Sequence, residues 1–438
     1  KLIPPKKYPR NVKKPREYSK WPVIGRRHNS NNSTPSIDPR PLESKSLGIK
    51  MLDIRSGHTN QFKLNSHKIW SASRLNKWIQ CPRKGWLESE LYLSKDETMN
   101  EDLDVRIRGK TLHDSFAELI CFQLGFKIGE ERSDFTIKNI TDNSFSLETL
   151  MSEFIQILSQ KAHWIWRSDA MSVHRRRDFI GMTLSEFDEW IGNEMPPIKP
   201  KGRIGQLLLS ELNLKDIVNL AFEWDLSKES PTIIFGPDNS SEKLKLRGWI
   251  DRVDLVPFED GTLINEKGNK SVAPFSLENW TPRRLIIIRD TKTVEGPTKD
   301  KLGERHKKAI FEESQLALYA RAWELTHPGD LVIGVGISEV GDFTNNSLEI
   351  DPKYSTYLNS LEIGELTYFT HEMYRFTDDN SSTNSNPFRA WMHWKINVAI
   401  KASNFAKEGK VHPIPGTHCQ FCNVSRICGL GLEKRGNF

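Results

Sequence analysis

The sequence predicts an α/β protein in which a mixed central sheet, flanked by helices, is set within a mainly helical frame. Three observations carry that expectation. Apolar residues recur at helical spacing from Ser71 to about residue 200. Beyond about residue 206 the pattern changes to short apolar runs separated by Asn-, Gly- and Ser-rich turns. Finally, an apolar run at 283–293, a helical pattern at 312–325 and a second apolar run at 331–340 follow one another, the succession of an α/β core.

Taken in order, SASRLNKWIQ opens with a capping candidate at Ser71, and Leu75, Trp78 and Ile79 mark one face of a helix that ends before Cys81-Pro82. A second helix is predicted from Arg108 to Leu124, followed by MSEFIQILSQKAHWIWR and SEFDEWIG, both amphipathic. AFEWDL, PTIIFG, LKLRGWIDRVDLV and RRLIIIRDTKT read as strands, divided by GPDNSSEK and EDGTLINEKGNK. EESQLALYARAWEL reads as a helix and LVIGVGISEV as a buried strand. Four segments are expected: a basic Pro-rich arm or linker over 1–68, partly disordered; a helical region over 69–205; an α/β core over 206–400; and a closing segment over 401–438.

Charge is unevenly spread. The 438-residue chain has a formal net charge of +6, yet residues 1–50 hold 13 Lys or Arg against 3 Asp or Glu, so the rest is slightly negative. That arm also has eight of the 23 prolines and the run HNSNNSTPS, a composition that favours extended or disordered chain. It suits either salt-sensitive contact with phosphates or a solvated linker. The sequence has no apolar run of about 18 residues and no signal-peptide pattern at its start. Five cysteines do not make a secreted disulfide framework, so a cytoplasmic protein is expected. Because the chain opens on Lys1, the expectation is a processed product or the carboxy-terminal part of something longer.

Cysteine spacing is informative. Cys419, Cys422 and Cys428 form a C-x2-C-x5-C triplet in HCQFCNVSRIC, and Cys81 stands about 340 residues upstream in WIQCPRKGW. Zinc sites usually take ligands in two local pairs, whereas a local triplet with a remote fourth thiolate favours an iron-sulfur cluster. Buried thiols or structural zinc are the alternatives. Cys121, in FAELICFQLGF, reads as a core thiol.

Charged residues also stand where apolar strands leave the sheet. Asp251 follows LKLRGWI, and Asp290 and Lys292 stand in IIIRDTKT. Two carboxylates on neighbouring strands suit a magnesium or manganese ion. Lys292, two residues from Asp290, shares its face, where it could place or deprotonate a water or stabilise a pentavalent phosphate. Gln315 and Tyr319 fall at i and i+4 of one helix and so face one site. Asp254, three residues from Asp251, should face the other way, with Arg252 as a salt-bridge or phosphate residue. The GKT at Gly109–Thr111 lacks the earlier glycine of a P-loop, so ATP binding is not expected. The basic runs HRRRD (174–178) and ERHKK (304–308) are either phosphate contacts or solvated helix faces.

At these residues the chain resembles the PD-(D/E)xK nucleases of the RecB kind, and within them the nuclease domain of the AddB helicase-nuclease subunits. The likeness runs from about Ser71 to Cys428. It comprises S-x-S-x-L-x-x-[WY]-x-x-C-P at Ser71–Pro82, G-x-x-x-H at Gly109–His113, L-R-G-x-I-D-R-V-D at Leu246–Asp254, D-x-K at Asp290–Lys292, Q-L-x-L-Y at Gln315–Tyr319 and the cysteine triplet.

The resemblance implies a restriction-endonuclease-like core whose metal carboxylates are Asp251 and Asp290. The Thr291 carbonyl is a further ligand, His113 approaches the metal, Lys292 is catalytic, and Gln315 and Tyr319 orient lysine and DNA. Glu223 is the expected upstream carboxylate, with Glu211 its rival. Cys81, Cys419, Cys422 and Cys428 would hold a structural 4Fe-4S cluster. A long helicase-like portion precedes the nuclease domain in AddB proteins, and this chain has none. The expected function is a magnesium- or manganese-dependent DNA nuclease of the exonuclease type in DNA repair, acting on single strands or on ends opened by a helicase partner. A catalytically silent iron-sulfur DNA-end-binding scaffold and a CRISPR-adaptation-type nuclease are the alternatives.

Overall fold

A computed structural model describes residues 69–93, 105–135, 149–150, 152–157, 160, 202–228, 230–236, 242–293, 310, 313–340, 344–370, 386–425 and 427–428. The basic arm, HRRRD, ERHKK and most of the helical stretches expected between 150 and 200 lie outside these residues. The chain divides into two compact units, one of Lys1–Thr98 with Val398–Phe438 and the other of Met99–Asn397. The division falls inside the region expected at 69–205: Cys81 lies in the first unit and His113 in the second.

In the first unit the short strand β1 (Ile69–Trp70) leads into α1 (Ala72–Gln80), where the Ser71 hydroxyl accepts from the Arg74 amide at 3.3 Å as the expected N-cap. Leu75 and Trp78 point inward. The helix stops at Cys81, and α2 (Pro82–Ser89) starts at once with Pro82 at its first position, where the missing amide costs nothing. Gly85 within α2 leaves room for the Trp78 ring, which a Cβ there would meet at 2.5 Å.

The second unit holds α3 (Val105–Gln123) and α4 (Gly202–Leu212), followed by β2 (Val218–Asp225), β3 (Thr232–Phe235), β4 (Lys243–Leu246), β5 (Trp249–Val256) and β6 (Arg284–Thr293). Then come α5 (Gln315–Thr326), β7 (Asp330–Val340), β8 (Thr344–Ile350), α6 (Ser355–Leu358), β9 (Glu365–Tyr368) and α7 (Pro387–Lys407), whose residues from Val398 on belong to the first unit. Six strands form one sheet in the order β2-β5-β6-β7-β8-β9. It is mixed: β6/β7 and β8/β9 run parallel, whereas β2/β5, β5/β6 and β7/β8 run antiparallel. Helix α5 makes the crossover between parallel neighbours β6 and β7 that such a pair requires. β3 and β4 pair as an antiparallel hairpin outside that six-stranded sheet.

LKLRGWIDRVDLV is therefore not one strand. Arg247 and Gly248 divide it into β4 and β5. Pleating gives the sheet two chemically different faces. One carries the apolar cluster of Val256, Leu285, Ile287, Leu331, Ile333 and Leu348. Arg252 and Asp254 share that face by parity with Val256. Asp251 takes the opposite face, with Asp290 and Lys292.

Among the described residues, no helix is long and apolar enough to cross a membrane.

Candidate active site

The candidate site begins at β5 and β6. Arg252 pairs with Arg289 in their register, so one further step sets Asp251 opposite Asp290; continuing the β2/β5 register sets Glu223 opposite Asp251. Three carboxylates thus form a row across adjacent strands. His113 reaches the row from α3, with Nδ1 3.4 Å from Asp251 Oδ2. The Thr291 amide donates to that same oxygen at 2.9 Å. Lys292 Nζ lies 2.7 Å from Asp290 Oδ2, and Gln315 donates to Asp290 Oδ1 at 2.9 Å.

Donor atoms of His113, Glu223 and Asp251 lie within 4.8 Å of one another, the one such group of three or more His, Cys, Asp or Glu among the described residues. Two carboxylates and an imidazole fit a hard divalent cation, with sites left for water and phosphate oxygens. Asp290 stands beside the group, its two oxygens engaged by Lys292 and Gln315. Thr291 contributes its amide to holding Asp251. The cavity at this point, about 280 Å³, is lined by Leu112, His113, Phe222, Glu223, Asp251 and Thr291 among others.

Electrostatics follow from the crowding. Burial, together with the Asp251 charge, pushes the Glu223 carboxyl up to about 7. Burial likewise pushes Asp290 up to about 6 against the pull of the Lys292 ammonium. Burial opposes the charge on His113, but its hydrogen bond and attraction to Asp251 prevail and hold the imidazole above its ordinary value. For Asp251, burial is outweighed by His113, Lys292 and the Thr291 amide, which hold the carboxyl low. Lys292 is also raised: Asp290 and Asp251 overcome burial and keep it an ammonium.

Glu223 has φ +48°, a left-handed conformation rare for a side-chain-bearing residue and rarer inside a strand. The β2/β5 register also shifts by one residue between Asn219 and Ala221. Such local strain costs of order 1–3 kcal/mol and gathers at functional positions. Glu211, the rival carboxylate, sits elsewhere: it is buried in an ion pair with Arg252 Nη1.

On the other face, Asp254 accepts from Arg252 Nε at 2.8 Å and Arg289 Nε at 2.6 Å. Arg252 is thus a salt-bridge residue, not one aimed at a phosphate.

The role of Gly248 was not evident in the sequence. A Cβ there would stand 2.6 Å from the Tyr319 hydroxyl, so the glycine lets α5 bring Tyr319 against the start of β5. The available signal was a glycine inside an apparent strand, which often marks close approach.

In the first unit, Cys81, Cys419, Cys422 and Cys428 line one cavity together with Lys84, Ile414 and His418. Cys81 is the N-cap of α2, and its Sγ accepts from the Ile414 amide at 3.4 Å. The buried Arg83 donates to the carbonyls of Val411 (2.6 Å) and Cys428 (3.1 Å). Burial raises the Cys422 thiol. Cys121 is a buried thiol pushed up to about 12 by burial.

A search of curated proteins finds no match to the chain. A family model does match: residues 69–274, from Ile69 through Asp251 and short of Asp290, match the PD-(D/E)XK nuclease superfamily.

Proposed function

We propose that the chain is a metal-dependent deoxyribonuclease that hydrolyses phosphodiester bonds by in-line attack of water. The observation that carries this reading is the convergence of His113, Glu223 and Asp251 on one point, with Asp290 and Lys292 on the adjoining strand. Magnesium or manganese at that point would polarise a phosphoryl oxygen and lower the pKa of a water. The chain's own part is positional. The Thr291 amide and His113 fix Asp251, Gln315 fixes Asp290, and Lys292, its side chain 45% exposed, presents a cation to an entering phosphate. Tyr319 is nearly buried and bounds the site beside Gly248.

The four cysteines are proposed to bind a structural 4Fe-4S cluster. Supporting this reading is the cavity they share, with the α2 N-terminus at Cys81 and the Arg83 guanidinium nearby to offset thiolate charge. DNA repair, exonucleolytic action on single strands or opened ends, and a helicase partner complete the proposal, following the resemblance to AddB-type nucleases.

The test is cleavage of end-labelled single- and double-stranded DNA with magnesium or manganese, comparing the intact chain with Asp290→Ala and Lys292→Ala. Cleavage by the intact chain that both substitutions abolish is expected. An intact, iron-loaded chain that binds DNA and cuts nothing would favour the silent scaffold.

A further inference from the structure

From Lys243 to Asp251 burial alternates strictly. Leu244, Leu246, Gly248 and Ile250 are buried, whereas Lys243, Arg247 and Trp249 are exposed and Lys245 is half-buried. Within a strand successive outward positions lie about 6.5–7 Å apart, as for Lys243 and Lys245 of β4; Arg247 follows at the break and Trp249 opens β5. Three cations and an indole therefore stand in order on the positions that lead to Asp251. Trp249 is 56% exposed.

The neighbouring strand adds apolar groups to this row. Ile233 and Phe235, 39% and 54% exposed, stand opposite Lys245 and Lys243 in the β3/β4 register. The hairpin's inner residues Ile234, Leu244 and Leu246 are buried, and α5 packs against β3. Asp225, opposite Trp249 in the β2/β5 register, has Oδ1 occupied by the amide and hydroxyl of Ser227. The outer face thus interleaves large exposed apolar side chains with cations.

That combination suits a ligand with both flat apolar faces and regularly spaced negative charge. Stacked duplex DNA hides its base faces, whereas a single strand offers bases and phosphates together. We propose that the outer face of the β3–β4 hairpin, continued through Arg247 and Trp249, binds single-stranded DNA and leads it to Asp251. Trp249 and Phe235 stack on bases, and Lys243, Lys245 and Arg247 contact phosphates. The direction of travel rests on the nuclease reading above; the binding does not.

The experiment measures binding of the intact chain to fluorescein-labelled oligothymidylate and to a blunt hairpin duplex, in chelator and across a salt series. Trp249→Ala and Phe235→Ala should each weaken oligothymidylate binding by about 5- to 100-fold while changing duplex binding less than about twofold. The triple variant Lys243→Gln/Lys245→Gln/Arg247→Gln should flatten the slope of log K against log salt by about 2. All five positions are exposed or half-buried, so melting temperatures should stay at the parent's value.

No oligothymidylate binding by the parent, or unchanged affinity in every variant, overturns the proposal. Equal losses for single strand and duplex overturn the single-strand assignment. Conversion of a parent dimer to monomer without loss of DNA affinity assigns the face to protein docking instead. Cleavage is scored separately: the expected binding pattern in a chain that never cuts DNA would leave the face assigned and remove the nuclease reading.

Discussion

Asp254→Asn isolates stability on the strand that also carries Asp251, a residue of the proposed metal site. Asp254 is fully buried and accepts from two guanidinium groups, Arg252 at 2.8 Å and Arg289 at 2.6 Å, with Asn219 Nδ2 at 3.2 Å. Asparagine keeps the shape but removes the charge and turns an amide donor toward one of the two cations. Arg252 retains Glu211; Arg289 retains the Ile363 carbonyl at 2.8 Å but has no other carboxylate partner among the described ion pairs. Removing one member of a buried pair costs about 3–5 kcal/mol. A unit of this size should therefore melt of order 10 °C lower. The assay is thermal unfolding followed by far-ultraviolet circular dichroism in chelator, with Asp251→Asn as the internal comparison. Asp251, three residues away on the other face, loses mainly the Thr291 amide and His113 contacts and should cost about 1–2 kcal/mol. An Asp254→Asn protein that melts within 2 °C of the parent, or no lower than Asp251→Asn, would refute the assignment of the two aspartates to separate roles.

Gly248→Ala should destabilise by about 1–3 kcal/mol because its methyl meets the Tyr319 hydroxyl; Tyr319→Phe in the same chain should recover part of that loss in a double-mutant cycle. Arg83→Ala removes charge-assisted hydrogen bonds to Val411 and Cys428, so iron content per chain should fall and the thiols should react faster with a thiol reagent, at a cost of about 3 kcal/mol. His327 is stacked on Trp323 at 3.7 Å, and its burial holds the imidazole below its ordinary value. The unfolded chain therefore takes up the proton first. Its contribution to stability is present above about pH 6.5 and is lost as the pH falls through the lower folded value, a dependence that His327→Gln should flatten in denaturant titrations.

What the sequence revealed was what local spacing controls. Ser71, Leu75 and Trp78 define α1 by themselves, and parity alone sends Asp251 and Asp254 to opposite faces. Partners were not readable, because Arg289 lies 35 residues and Glu211 over 40 from the residues they bind, joined only by strand register and helix packing. The break in LKLRGWIDRVDLV has a similar origin: Gly248 is placed by Tyr319, on a helix folded later in the chain. TNNSLEI, polar and weak in strand propensity, becomes β8 through its pairing with β7. There Gly334 and Gly336 leave space for the side chains of Ile350 and Leu348. The choice between Glu223 and Glu211 likewise depended on which acid already had a cation beside it.

That last distinction extends to the whole sheet. On the apolar face Glu211 and Asp254 meet Arg252 and Arg289, two charges of each sign, buried and mutually bonded. On the opposite face Glu223, Asp251 and Asp290 share the Lys292 ammonium and the His113 imidazole, and two of the three carboxyls are pushed up, chiefly by burial and further by the charge of Asp251. A balanced cluster holds its place with no ligand. An unbalanced one, kept in a row by register and by the strained backbone of Glu223, stores repulsion that a divalent cation relieves on binding. The same strands thus supply an ion-paired floor and, under the proposed function, a surface on which a divalent cation would be bound, and only the second would gain from what the solvent brings.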